Sequence, residues 1–175
     1  MAYTTLRLNF EDKVATLTLD RPEKSNAISP QMIQDLMAAL DEIEQTGARA
    51  AIVTGAGKAF CAGMDLEALK AFPSQSPEQI VEDARHIDAM FRRIYTFPKP
   101  LIAAVNGAAI AGGCGIATFG DFTLAAPEAK FGYTEVRIGF MPAIVATFVV
   151  RQVGEKRARD LLLTGGFSMR KKAFG

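Results

Sequence analysis

Apolar and polar positions alternate at the start of the chain. Residues 3–9 and 13–20 read as two strands, the second through the β-branched run VATLTL, with Glu11-Asp12-Lys13 as the turn between them. The period then lengthens. Ser29-Pro30 predicts a helix start, with Ser as N-cap and Pro in the first turn. Ile33, Leu36, Met37, Leu40 and Ile43 follow at helical spacing, and Gly47 ends the run. Residues 50–54 predict a short buried strand, followed by a glycine-rich loop and a helical turn or two over 65–70. After a surface loop at 73–77, a second amphipathic helix is expected over about 78–95. It carries Ile80, Ala84, Ile87, Met90, Phe91 and Ile94 on one face and is stopped by Pro98 and Pro100. Leu101–Val105 reads as another buried strand, and Phe122–Ala125 and Lys130–Gly132 as short ones. From Ala143 the spacing is helical to about Val153 and again over 155–163, and 168–174 reads as the first turns of a further helix. Strands alternating with helices place the chain in the α/β class.

Composition narrows the picture. The 175 residues are 49% hydrophobic and 22% charged, a soluble globular composition long enough for one domain spanning 1–175. Twenty basic and 19 acidic residues give a net charge of +1, and Arg170-Lys171-Lys172 is the one basic block, so nucleic-acid binding has no electrostatic footprint. No apolar run reaches the length of a membrane span, and the N-terminus MAYTTLRLNF does not read as a signal peptide. Cys61 and Cys114 do not make a disulfide framework, so reduced thiols and a cytoplasmic location are expected. With His86 the sole histidine and no cysteine pair at ligand spacing, no metal site is expected.

Two stretches carry the candidate chemistry. AAIVTGAGKAFCAGMDL and LIAAVNGAAIAGGCGI echo each other as strand, glycine turn, small-residue loop and helix start. A dinucleotide fingerprint fails in the first, where Phe60 replaces the third glycine. A phosphate loop fails in the second, where Gly113-Cys114 replaces the Lys and hydroxyl residue. Two readings stay open. The glycines let helices pack close to strands, or they expose backbone N–H groups that meet at one oxygen and stabilise charge on a carbonyl.

NAIS, FCAGMDL, PKPLIAAVNGAAIAGGCGIA, GDFTLAAPEAKFGYTEVRIGFMP and GEKRARDLLLTG, in that order over nearly the whole chain, together resemble the crotonase (enoyl-CoA hydratase/isomerase) superfamily. The EVRIG…PA segment with Gly115 is similar to the methylglutaconyl-CoA hydratase-like branch. The resemblance implies a crotonase-like fold of repeated ββα units. It implies an acyl-CoA thioester whose oxygen sits between the N–H groups of Met64 and Gly112. Coenzyme A would lie along Lys24, Ser25 and Ala27 on one side and Ala62, Gly63, Met64, Asp65 and Leu66 on the other. Glu135 would be the acid/base, and Gly115 stands where hydratases typically place a first glutamate. The implied reaction is reversible hydration of a 2-enoyl-CoA through an enolate, in fatty-acid metabolism. The alternatives are a 3-enoyl-CoA to 2-enoyl-CoA isomerase using one glutamate, and a non-catalytic acyl-CoA binding or assembly subunit. No cofactor is implied beyond the coenzyme A of the substrate. A homotrimer or hexamer is implied for a full-length protein, whose C-terminal helical trimerisation region is expected to be largely absent from this chain.

Single residues carry further expectations. Glu135, among apolar neighbours, reads either as a carboxylate with a raised pKa or as a surface glutamate at a helix start. Asp65 is expected to cap a helix and Asp121 to make a structural turn bond. His86 is expected to be partly solvated, and the two cysteines to be small buried thiols. Arg21 and Lys24 read either as contacts for coenzyme A phosphates or as plain surface charges.

Overall fold

The computed structural model describes residues 3–169. Leu6–Glu11 (β1) and Val14–Leu19 (β2) form an antiparallel hairpin whose turn places Asp12 and Lys13 in left-handed backbone. Along β2 every second side chain (Ala15, Leu17, Leu19) is buried, as the two-residue period of a strand requires. Ser29 caps α1 (Pro30–Gln45) by accepting the Met32 N–H at 3.2 Å, and Met32, Ile33, Leu36, Ala39, Leu40 and Ile43 join the core. The carboxylate of Asp35 on α1 accepts the N–H and hydroxyl groups of both Thr4 and Thr5, which ties the start of the chain to this helix.

The middle of the chain uses one unit three times. β3 (Ala50–Gly55), β5 (Leu101–Val105) and β7 (Phe122–Ala125) run parallel in the first sheet, ordered β1-β2-β3-β5-β7. Each is followed within a few residues by a three-residue strand: β4 (Ala59–Cys61), β6 (Ala108–Ile110) and β8 (Lys130–Gly132). These build a second sheet, ordered β4-β6-β8-β9. The internal echo is therefore a repeated ββ turn. Asn106 binds its two copies together, its Oδ1 accepting the Gly55 N–H at 3.1 Å and its Nδ2 donating to the Gly57 carbonyl at 3.0 Å. Three residues are too few to show a period, so the sequence pattern does not reveal β4 or β6.

The last strand corrects an expectation. Ser168–Met169 (β9) is not the start of a helix but pairs antiparallel with β8, Phe131 opposite Ser168. The edge of β8 takes up a segment whose sequence alone has no strand period. The remainder of the expected helix, 170–174, lies outside the described residues.

Besides α1, the α-helices among the described residues are α2 (Leu66–Ala71), α3 (Pro77–Tyr95), α4 (Gly112–Phe119), α5 (Ala143–Val153) and α6 (Glu155–Thr164). Ser76 opens α3 with a capping box to Gln79, one residue earlier than the spacing predicts. The apolar face of α3 is divided. Met90, Phe91 and Ile94 are buried, while Ile80 is 37% exposed, because the first half of the helix runs past the core. Phe91, Phe119 and Phe148 stack edge-on and tilted, with centroids 5.5 and 4.7 Å apart, and lock α3, α4 and α5 together. Among the described residues, no helix is long and apolar enough to cross a membrane.

Candidate active site

The second sheet delivers two loop ends to one place. After β4, Gly63 turns with φ +87°. A Cβ there would stand 2.8 Å from the Ile110 carbonyl oxygen, 2.9 Å from the Ala111 Cβ and 3.3 Å from the Gly112 nitrogen, so only glycine lets the two loops approach this closely. Met64 forms a parallel bridge with Ile28: the Ile28 N–H donates to Gly63 O at 2.8 Å and the Asp65 N–H to Ile28 O at 2.9 Å. That pattern uses the groups flanking Met64 and points its own N–H away from Ile28. Across from it, Gly112 is the first residue of α4, where N–H groups lack an intrahelical acceptor. Its predecessor Ala111 holds φ 51° and ψ −124°, a costly backbone for a residue with a Cβ, and offers no side-chain cap.

Met64 and Gly112 line one open cavity of about 560 Å³. Its walls are largely apolar, with Leu66, Ile87, Phe91, Ile138, Phe140 and Phe167 among them. Glu135 is the one carboxylate among its described lining residues and Arg137 the one cation. Both belong to the short 3₁₀ turn Glu135–Ile138, which leaves β8 through Tyr133 and Thr134. Oε2 of Glu135 is buried with no hydrogen-bond partner among the described residues. Burial raises its carboxyl above the ordinary glutamate range, against a smaller opposing effect of its own backbone N–H. The Arg137 guanidinium lies 5.0 Å from the centroid of the Phe167 ring.

The two segments expected along coenzyme A are neighbours. The Ala62 N–H donates to Ser25 O at 3.0 Å, Ser25 is left-handed (φ 50°), and Ala27 is buried beside the Ile28–Met64 bridge. Asn26, fully buried, holds this loop: its Oδ1 accepts the Arg21 N–H, and its Nδ2 donates to the Ala56 and Ala59 carbonyls, each at 2.9 Å. Lys24 is paired with Glu67 at 3.1 Å on the surface, and Leu66 is 62% exposed at the cavity mouth. Asp65 caps α2 by accepting the Glu67 N–H at 3.0 Å. Burial opposes its charge, but the Glu67 N–H and the Arg21 guanidinium at 3.0 Å outweigh it and lower its pKa. Arg21 is neither a surface charge nor turned outward, because it is spent on Asp65 and on the Ala27 carbonyl at 2.6 Å.

The remaining candidates lie outside the cavity. His86 is mostly exposed on α3, 3.5 Å from Glu82. Cys61 and Cys114 are fully buried, and burial pushes each thiol up to about 12, which leaves them as packing groups. Asp121 makes its turn bond, accepting the Leu101 N–H at 2.8 Å. The sequence carries Phe91 only as a core-stripe residue, holds Arg137 inside the EVRIG segment without a role of its own, and gives no signal for Phe167; the meeting of Arg137 and Phe167 depends on the path of the chain between α5, α6 and β9.

The enoyl-CoA hydratase/isomerase family model matches residues 9–172. A putative enoyl-CoA hydratase of Thermus thermophilus is 48% identical over 153 residues, covering 87% of this chain and 60% of its own. A 1,2-epoxyphenylacetyl-CoA isomerase of Escherichia coli is 37% identical, over 89% of this chain and 60% of its own. In the crystal structure of a putative enoyl-CoA hydratase/isomerase (crotonase) from Legionella pneumophila, the fold superposes with a TM-score of 0.93 at 33% identity, over 99% of this chain and 67% of that one. The chain thus spans about 60% of the length of these curated relatives. By sequence match, relatives and superposed fold alike, the chain belongs to the enoyl-CoA hydratase/isomerase family.

Proposed function

We propose that the cavity takes the acyl part of an enoyl-CoA thioester and that the protein adds water reversibly to a 2-enoyl-CoA. The observation that carries this reading is the buried, unpartnered Oε2 of Glu135, in one apolar cavity with Met64 and Gly112. The thioester oxygen accepts from the Met64 and Gly112 N–H groups, which hold the negative charge of the enolate. One such donor is worth about 3 kcal/mol of barrier. The Glu135 carboxylate takes a proton from water as its oxygen bonds to C3, and the electron pair of the double bond moves onto the thioester. The carboxylic acid so formed returns the proton to C2, so one group serves as base and acid in turn. Coenzyme A lies along Lys24–Ala27 and Ala62–Leu66 as part of the substrate, with no further cofactor, and the reading extends to a homotrimer or hexamer for a full-length protein.

A second reading, isomerisation of a 3-enoyl-CoA to a 2-enoyl-CoA, is favoured by the presence of a single carboxylate among the described lining residues of the cavity. Here Glu135 removes a proton from C2 and returns it to C4. Ultraviolet absorbance of the conjugated thioester separates the two. Loss of the band from a 2-enoyl-CoA supports hydration. Its gain from a 3-enoyl-CoA, with no loss from the 2-enoyl-CoA, supports isomerisation. Acyl-CoA binding without either change overturns both in favour of a binding subunit.

A further inference from the structure

Behind the cavity, the buried hydroxyl of a tyrosine and the half-buried hydroxyl of a threonine join the two halves of the site. Tyr133 is 4% exposed and does not line the cavity, yet it sits two residues before Glu135. Its hydroxyl lies 3.0 Å from Oγ1 of Thr118 on α4, the helix that begins with Gly112. The direction of that bond follows from the partners. The single Thr118 hydroxyl proton goes to the Cys114 carbonyl at 2.9 Å, so Tyr133 donates and Thr118 accepts. The Tyr133 hydroxyl also reaches the Cys114 thiol on the same helix. Around it, the Ala111 N–H donates to the Gly132 carbonyl at 2.7 Å, and Gln152 on α5 donates to the Thr118 carbonyl. The turn that carries Glu135 is four residues long and has no side-chain N-cap of its own. Its position relative to α4 is set by the pairing of β6 with β8, by the Ala111–Gly132 backbone bond, and by the bonds of the Tyr133 hydroxyl to Thr118 and Cys114. Only the ties of the Tyr133 hydroxyl depend on side chains.

We infer that Tyr133 is a positioning residue, whose bond to Thr118 fixes Glu135 against the Gly112 end of α4. It touches no substrate. The inference rests on the reading of Glu135 as the acid/base, but its first test does not need turnover. Carbon-13 NMR of labelled glutamate carboxyls, with Glu135→Gln supplying the assignment, follows the Glu135 titration in the parent protein, Tyr133→Phe, Thr118→Val and Thr118→Ser. Tyr133→Phe and Thr118→Val should shift the Glu135 midpoint toward the ordinary glutamate range as the turn loosens and water reaches the carboxyl. Thr118→Ser, which keeps the acceptor, should not. All variants should unfold within about 4 °C of the parent. In turnover, both hydroxyl-deleting variants should lose about tenfold in kcat with KM held, and the double variant should lose no more than either alone. An unchanged Glu135 midpoint in both variants overturns the inference, as does an equal shift in Thr118→Ser. A parent protein with no turnover but with the expected shifts would contradict the functional reading and leave the tie standing.

Discussion

The ring of Phe91 occupies the space in front of Gly115: a Cβ added at Gly115 would stand 2.9 Å from Phe91 Cε1 and 3.5 Å from Val145 Cγ2. Phe91 is 2% exposed and set edge-on against Phe119, so it has little freedom to withdraw. Position 115 is where the family resemblance places a first glutamate. Here that place is closed by an aromatic wall, and the acid/base work of the proposed reaction falls to Glu135.

Gly115→Glu is expected to lower stability by about 1–3 kcal/mol through overpacking, although replacing a helical glycine normally gains about 0.5–1 kcal/mol. Combined with Phe91→Leu, it should cost less than the sum of the two single changes, since they share one space. Urea denaturation of the four proteins measures this, and an additive result would mean that Phe91 is not what excludes the side chain.

Glu135→Gln should abolish most turnover, by about 10²–10⁴-fold, while leaving the unfolding temperature unchanged or raised. The sign follows from the raised carboxyl. The folded protein holds this proton to higher pH than the unfolded chain, so stability falls as pH rises from the ordinary glutamate range through the raised folded value. Thermal unfolding at several pH values should show that fall in the parent and not in Glu135→Gln. For the same reason the acid limb of kcat/KM should lie above the ordinary glutamate range.

Gly63→Ala should damage both fold and activity. Its φ of +87° and the 2.8 Å approach to Ile110 O leave no place for a methyl group, and any relief must separate Met64 from Gly112. A stability loss of about 1–3 kcal/mol is expected, with weakened binding of an acyl-CoA enolate analogue measured by calorimetry. Unaltered analogue binding would argue against the paired N–H groups.

Asp35 sets an acid-side prediction of opposite sign. Burial alone would raise its carboxyl, but hydrogen bonds from Thr5, Gln31 and Thr4 outweigh that and lower it. Its stabilising effect should be full above the unfolded carboxyl value and fade as pH falls through the lowered folded one. Asp35→Asn should therefore be less stable than the parent near neutral pH and converge with it in strong acid, as read by unfolding temperature.

What the sequence made legible follows periodicity. The hairpin, α1, β3, β5 and the buried end of α3 each repeat a side-chain pattern long enough to count. The site was legible in part, because Met64, Gly112 and Glu135 lie in motifs whose order resembles a family, and the structure brings all three to one cavity. Phe91 lies outside those motifs, and Tyr133 and Arg137, although inside one, carry no role that the motif itself assigns. Phe91 reads equally as core, and Tyr133 acquires its part only from Thr118, 15 positions away in sequence. The second sheet was hidden for a related reason: its strands are two or three residues long and exist because their neighbours do.

The most direct test of the central claim, proton transfer by Glu135 to and from an enolate held at Met64 and Gly112, is exchange at C2. A saturated acyl-CoA incubated with the protein in D₂O, followed by proton NMR, reports proton removal without requiring hydration or isomerisation. The C2 proton signal should fade with the parent protein and persist with Glu135→Gln. A signal that persists with both, or fades equally with both, would contradict the claim.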